Sequence, residues 1–238
     1  MRVICWFSCG AASAVLAEMV SYHPKSEIVY CDTSASEHPD QARFAADIEQ
    51  WLHRPVIRIR SPLYQTIWEV FERVCYLHGP NGSPCTKYLK REVRKSYQQP
   101  DDVHAFGYTI EEEDRIARFE DNNPSLKCIW PLRDAGITKK DCYNRLFEVG
   151  ISLPTMYTLG YHNNNCIGCV KGGMGYWNKI RRDFPAVFDR MATLERRFNF
   201  ALFKRQGQPC FLDELPPDVG RYSEEPPLSC GPECVGRD

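Results

Sequence analysis

Val3-Ile4-Cys5-Trp6-Phe7-Ser8-Cys9-Gly10-Ala11-Ala12-Ser13-Ala14-Val15 is the stretch whose reading decides the fold. An apolar run of strand length empties into a loop of serine, glycine and alanine, and a helix-compatible segment, Ala14 to Val20, follows at once. That succession has the shape of an anion cradle. Small side chains let backbone approach a phosphate, Gly10 can take a positive φ, and the helix start presents unpaired N–H groups at its positive end. The hydroxyls of Ser8 and Ser13 add two donors. A small-residue turn without a ligand is the plainer account of the same residues. Neither Gly-x-x-x-x-Gly-Lys-Ser/Thr nor Gly-x-Gly-x-x-Gly is present in the loop, so the two common nucleotide fingerprints are excluded.

Working outward, Glu27 to Cys31 reads as a second strand ending at Asp32-Thr33. A helix over Pro39 to His53 carries Phe44, Ile48, Trp51 and Leu52 on one face, and Pro55 to Ile59 is a third strand. This alternation predicts an α/β, doubly wound and mostly parallel sheet, with ligands at the carboxyl ends of its strands, where Ser8 and Asp32 lie. Asp32 is either a turn residue or a group facing the ligand. A helix is expected over residues 62 to 77 and a further strand over Val103 to Tyr108. The acidic run from Glu111 then opens a helix containing Arg115 and Arg118.

With 238 residues the chain can bury one core and an appendage: an α/β domain over residues 1–160, then a helical, cysteine-bearing region over 161–238 that ends in a flexible tail from Pro216. A net charge of −1 predicts no overall affinity for nucleic acid, so local clusters must supply any. Two are present. Lys87, Lys90, Arg91, Arg94 and Lys95 face only Glu92, and residues 171–205 are basic around Tyr176 and Trp177. Each is a surface for a phosphate backbone or an ordinary solvated helix face. The opening residues superficially resemble a signal peptide, but Ser8 and Gly10 break the apolar run and a helix continues beyond it. No stretch reaches the length of a membrane span, and a cytoplasmic protein is expected.

The twelve cysteines are scattered, which favours thiol, metal or redox chemistry over a disulfide scaffold. Cys166 and Cys169 are spaced to share a metal or to cycle between dithiol and disulfide. A zinc site would need help from Cys85, His162 or Cys210. Cys5, Cys75, Cys128 and Cys142 sit in apolar surroundings that suit inert burial.

The opening loop resembles the PP-loop, Ser-Gly-Gly-x-Asp-Ser, of ATP pyrophosphatases and PAPS reductases, the adenine nucleotide alpha-hydrolase-like superfamily; it departs at Cys9 and at Ala12, which replaces the aspartate. Further segments resemble the family in the same order. Cys31-Asp32-Thr33 precedes His38-Pro39-Asp40, Cys85 lies near Lys87, Arg115 follows an acidic run, Leu153 to Tyr161 matches Leu-Pro-x-x-x-Leu-Tyr and Gly-Tyr, and Cys166-Ile167-Gly168-Cys169 closes the series.

The resemblance implies a HUP-like PP-loop fold. It also implies ATP with Mg2+ at Ser8, Cys9, Gly10, Ala11, Ala12, Ser13, Asp32 and Gly107, with adenosine along the second strand and Lys87 and Arg115 on the phosphates. Cys85, Cys166 and Cys169 match three of the four ligands of a [4Fe–4S] cluster, and Cys166, Cys169 and Cys230 are the candidate reactive thiols. The implied activity is an ATP pyrophosphatase that adenylylates an acceptor for sulfur incorporation. The chain is most similar to the ATP-pyrophosphatase component of DNA phosphorothioation systems. There the acceptor is a DNA backbone phosphate reached through a partner complex and the sulfur donor is a cysteine desulfurase; a homodimer is admitted. The runner-up is a PAPS or APS reductase, whose reactive C-terminal cysteine Cys230-Gly231 matches in part. A nucleotide-binding subunit without turnover is the third reading.

Overall fold

The structure is a computed structural model and describes residues 1–79, 82–228 and 230. Strand β1, Val3–Trp6, is buried at all four positions and pairs on both edges, so it forms the middle of the sheet. Its side chains alternate as a strand's must: Val3 and Cys5 enter one core, Ile4 and Trp6 the other. Helix α1 (Ala11–Ser21) follows, then β2 (Ser26–Cys31), α2 (Gln41–Leu52), β3 (Val56–Ile59) and α3 (Ile67–Val74). Helix α4 (Pro84–Thr86) runs through a π-turn at Lys87–Arg91 into α5 (Glu92–Tyr97). The chain continues through β4 (Val103–Ala105), α6 (Glu113–Asn122), β5 (Lys127–Ile129), α7 (Pro131–Asp134), α8 (Lys139–Glu148) and α9 (Thr155–Thr158). Helices α10 (Met174–Asp183) and α11 (Pro185–Phe198) precede a short hairpin, β6 (Phe203–Arg205) and β7 (Gln208–Cys210).

Five strands form one all-parallel sheet in the order β3-β2-β1-β4-β5, with helices on both faces. The chain adds strands outward from β1 to β3, returns, and adds β4 and β5 on the other edge. The connections after β1 and β4 therefore diverge, which opens a crevice at their carboxyl ends. A third core joins α10 and α11 to Ile67, Trp68, Phe71 and Leu89, so α3 and the segment after it pack with the C-terminal region. No helix among the described residues is long and apolar enough to cross a membrane.

Several elements differ from the sequence expectation for identifiable reasons. Helix α1 starts at Ala11, which puts Ser13 inside its first turn. Helix α3 begins only at Ile67, because the Thr66 hydroxyl accepts the Glu69 amide and caps it there. The strand expected over Val103 to Tyr108 stops at Ala105, and residues 106–108 run on as irregular backbone beside the crevice. β5 and the β6–β7 hairpin are too short for periodicity to register; the hairpin turns on Gln206 and Gly207, both left-handed at φ 50° and 80°.

The tail from Pro216 is not a loose appendage over its described part. Asn178 donates to the carbonyls of Pro216 and Val219 at 2.8 Å each, and the amide of His162 donates to the Tyr222 hydroxyl at 2.8 Å.

Candidate functional site

A cleft of about 970 Å³ opens at the carboxyl ends of β1 and β4, lined by Ser8, Gly10, Ala12 and Ser13 from the loop and by Gly107 from the irregular backbone after β4. The loop is tightly organised. Cys9 takes the left-handed conformation at φ 54°, while Gly10 is extended at φ −108° and ψ 163°. The positive φ thus falls one residue earlier than expected, on a side chain for which it costs about 1–3 kcal/mol. Three contacts hold it. Gln41 Nε2 donates to Cys9 Sγ at 2.8 Å, Asn164 Nδ2 donates to the Cys9 carbonyl at 2.8 Å, and the buried Ser13 hydroxyl accepts from the amides of Ser8 and Gly10 at 3.1 and 3.3 Å.

Ser13 therefore works as a latch inside the loop, and Ser8 is the hydroxyl that the loop needs least. The first bond within α1 runs from Ala14 N to Gly10 O, so the amides of Ala11, Ala12 and Ser13 precede the helical ladder. That of Ala11 donates to the Tyr157 hydroxyl at 3.4 Å, and those of Ala12 and Ser13 remain at the positive end of the dipole. Gly107 is a necessity of this packing: a Cβ there would stand 3.1 Å from Ser13 N and Cα and 3.2 Å from Ala12 C.

Across the cleft lie Arg115, Arg118, Lys139 and Lys171. Arg115 pairs with Glu112 and stacks on the Tyr108 ring at 4.4 Å. Lys139 Nζ donates to the His162 carbonyl at 2.5 Å and to Asn163 Oδ1 at 2.6 Å; burial, aided by the charge of Arg115, pulls its pKa down to about 8. The carboxylates of the cleft are committed to the protein. Glu112 accepts from Thr109 N, Glu225 from the amides of Gly175 and Tyr176, and Glu111 from Lys139 N. The loop carries none, with Ala12 where a carboxylate would stand, so its side chains do not fit direct coordination of a magnesium ion.

Two sequence candidates lie elsewhere. Asp32 is not among the lining residues: its Oδ1 accepts from Ser34 N at 3.0 Å and its Oδ2 from Arg60 Nε at 2.7 Å, which ties the end of β2 to that of β3. No residue of β2 lines the cleft; its aromatic wall is Trp6, Phe106, Tyr108 and Phe119. Lys87 is exposed, with its ammonium over the Tyr88 ring at 5.1 Å, and is absent from the lining. Its neighbour Lys90 is buried instead, because the wider π-turn rotates the following residues inward.

The second basic region is largely used internally. Arg181 donates to the carbonyls of Leu212 and Leu215, Arg196 pairs with Asp213 and Glu214, Arg190 with Glu72, and Lys179 with Asp183.

All eleven described cysteines are thiols. Four of them gather beside the cleft. Cys166 and Cys169 flank a loop shaped by the buried Tyr176 hydroxyl, which accepts the amides of Gly168 and Cys169 at 3.0 Å each. Cys85 packs against the same core, and Cys230 lines the cleft with its Sγ 3.8 Å from Thr86 Oγ1. Burial raises the pKa of Cys166 and Cys85 far up and that of Cys169 to about 11; each also feels charge on Cys230, and Lys90 opposes the rise in all three. At neutral pH these are thiols until a metal displaces their protons.

Among the described residues no three His, Cys, Asp or Glu side chains converge on a single-ion site. Gly231 and Cys234 lie outside the described residues. Sequence reasoning missed Lys139, Tyr157 and Asn164, of which only Tyr157 sits in a motif it had singled out, and it placed Lys171 in the basic region 171–205 and not at the loop. In comparisons with known proteins, no family model matches the chain and no curated protein matches it.

Proposed function

We propose that this chain is a PP-loop-type ATP pyrophosphatase that adenylylates an acceptor oxygen, that of a DNA backbone phosphate, ahead of sulfur incorporation. The observation that carries the reading is the convergence on one cleft, at the point where the order of strands reverses, of the α1 amide terminus with Arg115, Lys139 and Lys171. Parallel sheets bind ligands at that point, and a helix start facing cations suits a polyphosphate.

In this reading the Ala12 and Ser13 amides and Lys139 hold the phosphates, and Arg115 neutralises charge as it builds on the α-phosphate. The acceptor oxygen forms a bond to that phosphorus while the bridging oxygen leaves with pyrophosphate. The adenylyl group then departs as AMP when the outer sulfur of a cysteine desulfurase's persulfide attacks the acceptor phosphorus; a thiol then attacks the desulfurase sulfur, so that the S–S bond breaks, the phosphorothioate leaves and a disulfide forms. Magnesium, where present, travels with the phosphates, since the loop supplies no carboxylate. An iron–sulfur cluster bound at Cys85, Cys166 and Cys169 would supply structure and charge beside the cleft, or, with an iron left open, a seat for sulfide.

One observation favours the second reading, a PAPS or APS reductase: Cys230 lines the same cleft, where a thiol would meet a sulfonyl group. Incubation with ATP and a phosphodiester oligonucleotide separates the two. Pyrophosphate release with transfer of labelled AMP supports the proposal. Sulfite release from PAPS with no pyrophosphate from ATP replaces it with the reductase, and tight ATP binding without turnover leaves a binding subunit.

A further inference from the structure

Residues 222–228 run along the surface as a strap, and Cys230 lies two residues beyond its last one. The Tyr222 ring stacks on His162 at 4.5 Å, and the Glu225 carboxylate caps the start of α10 by accepting from Gly175 N at 2.6 Å and Tyr176 N at 3.1 Å. The Leu228 carbonyl accepts from Asn163 Nδ2 at 2.8 Å and from Asn165 Nδ2 at 3.1 Å; Asn165 immediately precedes Cys166. Two residues on, Lys90 Nζ donates to the Cys230 carbonyl at 3.1 Å, and Cys230 Sγ stands 3.8 Å from the hydroxyl of Thr86, the residue after Cys85. Leu228 is thus tied to the residue before Cys166, and the Cys230 thiol stands beside the residue after Cys85.

We infer that Cys230 is the fourth thiolate of an iron–sulfur cluster held also by Cys85, Cys166 and Cys169, and that the strap is the device that delivers it. The inference rests on the cluster part of the reading above and not on the nucleotide chemistry. A single zinc ion needs thiolates about 3.8 Å apart, from zinc–sulfur bonds of about 2.3 Å in a tetrahedron, and no such convergence exists among the described residues. A four-iron core is wider and takes four thiolates, one more than the three matched by sequence. Four protein ligands leave no open iron. Since Cys230 also lines the cleft, ligation would clamp the strap as part of its wall.

Anaerobic reconstitution of the full chain with iron and sulfide tests this through iron content, the visible absorption band and electron paramagnetic resonance. Wild type should hold about four irons per chain and keep them through brief air exposure. Cys230→Ser should fall to about three and show a three-iron signal, with circular dichroism reporting an unchanged fold, while Cys234→Ser behaves as wild type. In unsubstituted protein, reconstitution should protect Cys230 from iodoacetamide, read by mass spectrometry; this measurement holds even if the variant fails to fold. Loaded protein whose Cys230 alkylates as fast as in the apo form, or Cys230→Ser with wild-type iron and air stability, overturns the inference. So does a loss confined to Cys234→Ser. Wild type that takes up no iron overturns it together with the cluster reading, and pyrophosphate release by the same preparation reports separately whether the nucleotide reading stands.

Discussion

Ser8 and Ser13 look interchangeable as two hydroxyls of one loop, yet their contacts predict unequal consequences. Ser13 Oγ, on a residue only 4% exposed, accepts from Ser8 N and Gly10 N and donates to Gly10 O at 2.9 Å. Ser8 Oγ approaches Ser13 Oγ at 3.2 Å, but a hydroxyl that already accepts two amides has no lone pair left for it, so this contact adds little. Ser13→Ala therefore strands two amides and loosens the left-handed turn at Cys9. Each stranded buried donor costs about 1–3 kcal/mol, and with the loop partly open to water the pair should cost about 2 kcal/mol. For a chain of this size that lowers the melting temperature by about 4–8 °C. If the same turn presents amides to phosphate, ATP should bind about 10–30-fold more weakly, corresponding to about 1.4–2 kcal/mol. Ser8→Ala should cost less than about 0.5 kcal/mol and change affinity less than about threefold. Thermal unfolding with and without ATP, together with isothermal titration, measures both variants. Equal losses in the two would refute the latch, and a destabilised Ser13→Ala that binds ATP normally would detach it from the ligand.

Three further outcomes follow from the same geometry. Gly107→Ala pushes a methyl against Ser13 N and Cα and Ala12 C, backbone atoms that cannot rotate away, so stability should fall by about 1–3 kcal/mol and ATP affinity with it; an unchanged melting curve and titration would contradict this packing. Lys139, with its pKa pulled down to about 8, binds phosphate only as the ammonium, so the ATP dissociation constant should be flat below about pH 8 and rise up to about tenfold per pH unit above it. Lys139→Met should remove that rise, and a flat wild-type profile counts against its role. Tyr176→Phe leaves the Gly168 and Cys169 amides without their acceptor, for a loss of about 2–4 kcal/mol together with reduced iron uptake; wild-type unfolding and uptake would show that the hydroxyl does not shape the Cys166–Cys169 loop.

The sheet was legible because β1, β2 and β3 are runs long enough to carry their own pattern, and because alternation with amphipathic helices admits few other arrangements. The loop was legible for a local reason: strand, small residues and helix are contiguous. What sequence could not reach was convergence from a distance. Lys139 opens a helix more than a hundred residues from Ser13, and nothing in its neighbours distinguishes it from Lys140. Lys87 was singled out over Lys90 because a π-turn, which leaves no recognisable pattern, decides which lysine faces inward. Asp32 was singled out for standing at a strand end, but Arg60 at the end of the neighbouring strand claims its carboxylate.

The basic stretches show the same limit in reverse. Counting charges over residues 171–205 suggests a nucleic-acid face, whereas the guanidiniums of Arg181 and Arg196 are spent holding the segment that follows α11. A cation already paired with a carboxylate releases few counterions when DNA arrives, so these residues lend little to an affinity governed by phosphate contacts. In the proposed reaction the acceptor phosphate would instead meet the cleft's own set, Arg115, Arg118, Lys139 and Lys171, which a polyphosphate would partly neutralise. Bound nucleotide and incoming DNA would then compete for one charge reservoir. An acceptor brought by a partner complex avoids that competition, because its affinity comes from surfaces outside the cleft.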